Sequence, residues 1–134
     1  MITAQTYEAD GQTKSITYAN GVTTSFTYSP KRRWVERILT KNAGGTPLLD
    51  SVYARDTIGK ILSITGLTAP DSWSYAYDDL DRLVGADNWG DNTLDETFTY
   101  DIGGNKLSRT RNPGAYVYPG GTSPRPHAKS RVAL

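Results

Sequence analysis

The 134-residue sequence contains no cysteine. That excludes a disulfide framework, a thiolate zinc site and a cysteine nucleophile together. Histidine occurs once, at His127. No histidine pair exists for acid–base work, and a Ser-His-Asp arrangement would have to draw that residue out of a proline-rich tail into a strand-built pocket. No apolar run reaches the roughly 18 residues that a membrane-spanning helix needs. The residues after Met1, ITAQTYEADG, lack the basic start and apolar stretch of a secretory signal. Apolar residues make up 37% of the chain, which is low for building a core. No dozen residues carry a sustained helical stripe of apolar positions.

What is present favours strands and tight turns: Thr, Ser, Tyr, Gly, Asn and Asp. The chain therefore reads as all-β. Its net charge of +1 hides an uneven distribution. Asp101 is the last acid, whereas Lys106, Arg109, Arg111, Arg125, Lys129 and Arg131 all follow it. Such a basic stretch can attract phosphates or acidic glycans, but its ordinary state is solvated, and no nucleic-acid partner is expected. Four of the seven prolines fall in residues 112–134. The expected organisation is an ordered array over 1–111, then a partial repeat and a Pro-rich basic tail of poor order over 112–134.

The stretch DSWSYAYDDLDRL, residues 71–83, shows how the array is built. Trp73, Tyr75 and Tyr77 alternate, as on one face of a strand, and a cluster of acids then interrupts it. The arrangement recurs as TYEADGQTKSI, FTYSPKRRWVERI, YARDTIGKILSI, YAYDDLDRLVGA and FTYDIGGNKLSRT. Its anchor, Tyr7, Tyr28, Arg55, Tyr77 and Tyr100, returns after 21, 27, 22 and 23 residues. A unique active site does not repeat, so these are turns. Asp56, Asp78 and Asp101 are placed to accept backbone N–H groups, Gly11, Gly59 and Gly104 to adopt positive φ, and Asp81 to stand in for glycine. Gln12, Arg33, Lys60, Arg82 and Asn105 then open the next strand.

Between these turns lie returns at ANGV (19–22), NAGGT (42–46), LTAPD (67–71), DNWGDN (87–92) and NPG (112–114). The expected result is a meander of about ten short antiparallel strands. At the first return, a two-residue Asn20-Gly21 turn would split the apolar residues between two faces. A three-residue loop, Ala19-Asn20-Gly21 with Gly21 left-handed, gathers Ile16, Tyr18, Val22, Phe26 and Tyr28 on one face, and is the expected form.

Chemical alternatives are weak. A glycosidase pair drawn from Asp78, Asp79 and Asp81 would need a cleft and divided pKa values, and equivalent turns carry equivalent acids. Asp87, Asp91, Asp95 and Glu96 do not match a calcium loop, and Gly103-Gly104 and Gly120-Gly121 do not join a strand to a helix as a phosphate loop does. No catalytic residue, metal or cofactor is expected. Trp73, Tyr75 and Tyr77 are candidates for stacking on glycans. A cross-strand ladder joining one repeat to the next is the preferred account of the recurring rings.

The segments YAYDDLDRL, FTYDIGGNKLSRT and ITYANGVTTSFTY resemble the YD repeats of RHS proteins, over roughly residues 5–118. The resemblance implies a β-strip that winds into a hollow cocoon, as in bacterial RHS polymorphic toxins, the C subunits of Tc complexes and teneurins. Bacterial members enclose a C-terminal toxin domain. The implied role is a segment of an encapsulating shell, and the implied partners are the rest of that shell and the enclosed toxin. The implied destination is outside the cell or at its surface, by way of the parent protein. The alternative is a glycan- or receptor-binding surface module. Five repeats are too few to close a cocoon, the Asp-Pro-x-Gly segment of the self-cleaving members does not occur, Arg55 replaces an aromatic and Ser29 an Asp. The Met start and HAKSRVAL end read as cuts inside a longer frame, and the edge strands exposed by cutting are expected to associate.

Overall fold

A computed structural model describes residues 1–111 and 114–122, and the backbone of 131–133. The expectation of a poorly ordered tail falls largely on 112, 113, 123–130 and 134, outside the described residues. Apart from two single turns of 3-10 helix, every described element is a β-strand. The chain forms two compact units, Met1–Trp73 and Ser74–Leu134.

The first unit is a meander of β1 (Ile2–Tyr7), β2 (Thr13–Tyr18), β3 (Thr23–Tyr28), β4 (Val35–Lys41), β5 (Pro47–Arg55) and β6 (Ile61–Thr65). Each pairs antiparallel with the next. Alternation of small hydroxyl residues with larger apolar ones makes these strands two-faced. In β3, Thr23, Ser25 and Thr27 are exposed while Thr24, Phe26 and Tyr28 are half-buried. The first return is the three-residue loop: the Tyr18 amide donates to Val22 O (2.9 Å), the Gly21 amide donates to Tyr18 O (2.9 Å), and Gly21 has φ 77°. Ser15, Ile16 and Thr17 therefore face Ser25, Thr24 and Thr23. A slip of one residue would turn every apolar side chain to the other face. The apolar face continues through Phe26 opposite Ile38 and Tyr53 opposite Ile64. The other face mixes polar side chains with Leu39 and Val52, and there Arg37 grips Asp50 with two parallel bonds of 2.7 and 2.5 Å.

The second unit contains β7 (Trp73–Tyr77, entered from the last residue of the first unit), β8 (Leu83–Asn88), β9 (Glu96–Tyr100) and β10 (Lys106–Arg109), again neighbours in chain order. A separate antiparallel pair joins β11 (Ala115–Val117) to β12 (Arg131–Ala133).

Among the described residues no apolar side chain is buried; the buried ones are Ser72, Asn88 and Glu96, at 2%, 1% and 7% exposure. Within each unit the described elements contact their neighbours along the sheet, which leaves no place for a core. What is buried instead is polar and folds the returns. Ser72 accepts the Gly66 amide (3.0 Å) and donates to Thr68 O (2.9 Å), closing the loop around the 3-10 turn Ala69–Asp71. Asn88 Oδ1 accepts the amides of Gly90 (3.0 Å) and Asp91 (2.8 Å), and its own amide donates to Asp95 Oδ1 (2.8 Å).

Two left-handed glycines separate backbone strain from crowding. At Gly11 (φ 84°) nothing lies within 4 Å of the position a Cβ would take, whereas at Gly59 (φ 101°) a Cβ would lie 2.8 Å from Trp34 Cζ2. Gly11→Ala should cost about 1–2 kcal/mol from backbone strain alone. Gly59→Ala should cost more, because Trp34 must also move, and urea denaturation of the two variants side by side measures the difference.

Candidate functional site: the repeat turns and the bonds between them

Four of the five repeat turns have one construction. In each, the amide of the residue after the anchor donates across a three-residue loop, Glu8 to Gln12 O, Asp56 to Lys60 O, Asp78 to Arg82 O and Asp101 to Asn105 O, and its carbonyl accepts the amide of the third loop residue. The third loop residue is left-handed in every case: Gly11 (φ 84°), Gly59 (φ 101°), Asp81 (φ 62°) and Gly104 (φ 84°). Such a bulge leaves the next amide without a ladder partner. A side-chain oxygen takes it. Asp56, Asp78 and Asp101 accept the amides of Lys60 (2.9 Å), Arg82 (2.9 Å) and Asn105 (2.8 Å), and Asp10 accepts that of Gln12 (3.2 Å). The Asn20-Gly21 and Asn42 to Thr46 returns use the same device, with Asn20 on the Val22 amide (3.2 Å) and Asn42 on the Thr46 amide (2.9 Å).

The second turn corrects one expectation. Arg33 does not open the next strand; it is the left-handed residue, with φ 58°. The loop is one residue longer, so the Ser29 amide donates to Trp34 O (2.8 Å) and Ser29 Oγ accepts the Trp34 amide (3.1 Å). Ion pairing to Asp10 (2.6 Å) and stacking over the Tyr28 ring at 5.2 Å hold Arg33 there.

Neighbouring repeats are stitched in both directions. Backward, the anchor hydroxyl donates to a carbonyl of the preceding repeat: Tyr28 to Thr13 O (2.7 Å) and Tyr100 to Leu83 O (2.8 Å). Tyr118 does the same to Lys106 O (2.8 Å), which makes it the anchor of a sixth repeat. Forward, the strand-opening residue reaches the next turn: Gln12 Nε2 donates to Arg33 O (3.1 Å) and Arg82 Nη1 to Asp101 O (2.9 Å). Arg82 also pairs with Asp78 (2.7 Å) and lies 4.8 Å over the Tyr100 ring. The recurring rings thus contribute through a hydroxyl tip and a cation-binding face.

The acids serve this architecture. Asp78 is held below the usual carboxylate range by the Arg82 amide and then the Arg82 guanidinium, against the opposing effect of desolvation. At Asp56 desolvation pushes upward, but the amides of Lys60 and Ile58 and the Lys60 amine outweigh it and the pKa is lowered. Neither is a proton carrier poised near neutrality. Asp91 caps the 3-10 turn Asn92–Leu94, Asp95 holds the Asn88 amide, and Glu96 is gripped by Arg109 with Arg111 at 3.5 Å. These two arginines of the basic stretch are therefore paired, and Lys106 lies 4.9 Å over the Phe98 ring. Among the described residues no group of three acids or histidines is placed to hold a metal ion. Trp73, Tyr75 and Tyr77, the candidate stacking residues, are all half-buried.

Residues 7–46 match the family model described as RHS repeat. Over that stretch the chain is similar to an RHS repeat. The solved structures it resembles are larger assemblies. In a Photorhabdus luminescens Tc holotoxin pore with a mutated TccC3 the likeness has a TM-score of 0.73 at 24% identity, covering 81% of this chain. In TcdB2-TccC3 the TM-score is 0.70 at 24% identity over 80% of this chain. In TcdB2-TccC3 without its hypervariable C-terminal region it is 0.71 at 25% identity, again over 80%. The chain spans only 6–7% of the length of these solved chains. No curated protein matches it.

Asp78→Ala removes the acceptor of the Leu80 and Arg82 amides and the partner of the Arg82 side chain. Tyr100→Phe keeps the ring under Arg82 but deletes one bond, for about 1 kcal/mol. Asp78→Ala should therefore lower the urea midpoint by more than Tyr100→Phe does. Because Asp56 and Asp78 have folded pKa values below the ordinary 3.8, their contribution is full above that pH and is lost as pH falls through the depressed values. Acid unfolding followed by circular dichroism should accordingly begin below pH 3.8, and Asp78→Asn should flatten that part of the profile.

Proposed function

We propose that this array is a segment of the wall of a larger shell that encloses a polypeptide, with a structural and not a catalytic role. The observation that carries the reading is a sheet that, among the described residues, buries no apolar side chain. Its register is specified residue by residue, yet large apolar side chains such as Leu48 and Val52 stay 56% and 42% exposed. A wall has that character: its strength lies within the layer, and each face meets something else. The likeness to TccC3-containing assemblies, including one that lacks the hypervariable C-terminal region, supports placing the array in the shell and not in its cargo. The enclosed polypeptide would be a toxin region of the same parent, and the segment would leave the cell as part of that parent. Among the described residues no helix is long and apolar enough to cross a membrane, which says nothing of β-barrels.

A chimera tests the reading. Residues 1–111 replacing the matching stretch of TccC3 should leave the enclosed C-terminal region protected from added protease, and cleavage of that region in a folded chimera would refute the proposal. Alone, the array should self-associate through β1, all six of whose residues are exposed. Sedimentation should show concentration-dependent oligomers, and Ile2→Lys with Ala4→Lys should reduce them.

A further inference from the structure

Two departures from the repeat pattern coincide between the second and third turns. The second loop is one residue longer, and the third anchor is Arg55 where tyrosine stands elsewhere. Tyr28, Tyr100 and Tyr118 reach back to the preceding repeat, but Arg55 turns its Nη1 onto Gly59 O (2.9 Å) in its own turn. A cleft of about 380 Å³ lies here, lined among others by Pro30, Lys31, Arg32, Trp34, Tyr53 and Arg55. Arg32 lies 5.5 Å over the Trp34 ring, and Arg55 lies 5.6 Å over Tyr53. The Arg55 Nε is buried and has no acceptor among the described residues. A buried donor without a partner is costly and calls for an explanation.

We propose that this cleft binds a carboxylate carried on an aromatic or aliphatic stem. With Nη1 committed to Gly59, Arg55 keeps the N–H groups of Nε and Nη2, the fork that a carboxylate fits side-on, and because Nε is buried a carboxylate engages it only as the side chains around it part. Lys31 and Arg32 add positive charge. Of the two lining acids, Asp56 is committed to the Ile58 and Lys60 amides (3.0 and 2.9 Å), which leaves Glu36. Pro30, Trp34 and Tyr53 supply an apolar wall for the stem. A cationic ligand is disfavoured, because both rings already carry a guanidinium. The carboxylate can come from a free small acid or from a Glu or Asp side chain of a polypeptide.

Titration of the full chain with 3-phenylpropionate, and separately with the capped dipeptide acetyl-Phe-Glu-amide, tests this by NMR. The Arg55 Nε–H and Trp34 indole signals should shift saturably. Tighter binding of the dipeptide assigns the polypeptide source, and tighter binding of the acid assigns the free one. The matching amine, 3-phenylpropylamine, should leave both signals in place. Arg55→Tyr restores the prevailing anchor and should fold at least as stably while binding weakens at least about tenfold, as should Arg55→Lys, which keeps the charge and loses the fork. Equal shifts with the amine, undiminished binding in Arg55→Lys, or no saturable shift with either carboxylate would overturn the proposal.

Discussion

A single leftover amide organises these repeats. Every three-residue loop that closes with a left-handed residue strands one N–H beyond it, and the chain answers with a side-chain oxygen from within the loop or from its first flank. That requirement explains why Asp follows the aromatic anchor, why Asn opens the returns, and why Ser29 serves where the loop is longer. It also fixes the strand register, because the loop length decides which residues face one another. The aromatic face of β3 is a consequence of it.

With no buried apolar side chain among the described residues, the hydrophobic term that dominates most domains is here spread thinly over half-buried positions. Specificity passes to directional bonds between adjacent repeats. The hydroxyls of Tyr28, Tyr100 and Tyr118 reach back and the side chains of Gln12 and Arg82 reach forward, so the first repeat is bonded to the second, the fourth to the fifth and the fifth to the sixth. Stability in such an array is a sum of near-neighbour terms.

Much of this was legible in the sequence, because turn chemistry is local. Asn20-Gly21 with the surrounding alternation sufficed to choose the loop length, and Asp81 was recognisable as a glycine substitute from its position alone. SPKRRW was misread by one residue: it contains no glycine, and the left-handed conformation of Arg33 is secured by an ion pair to Asp10, 23 residues earlier. The tyrosine anchors were visible as a period, but the ladder assigned to their rings omitted the hydroxyls, whose acceptors are backbone carbonyls that carry no sequence signature. Tyr118 escaped notice as an anchor because it follows Tyr100 after 18 residues, with no acid beside it. The cleft at Arg55 is a product of two irregularities meeting across strands, which spacing along the chain does not show.

Strands that pair only with those adjacent in sequence have a kinetic consequence. Within each unit no strand waits for a distant partner, so loop closure is brief and the sheet can lengthen hairpin by hairpin as the chain leaves the ribosome. An array laid down in that order is finished at its N-terminal end before its C-terminal end has been synthesised.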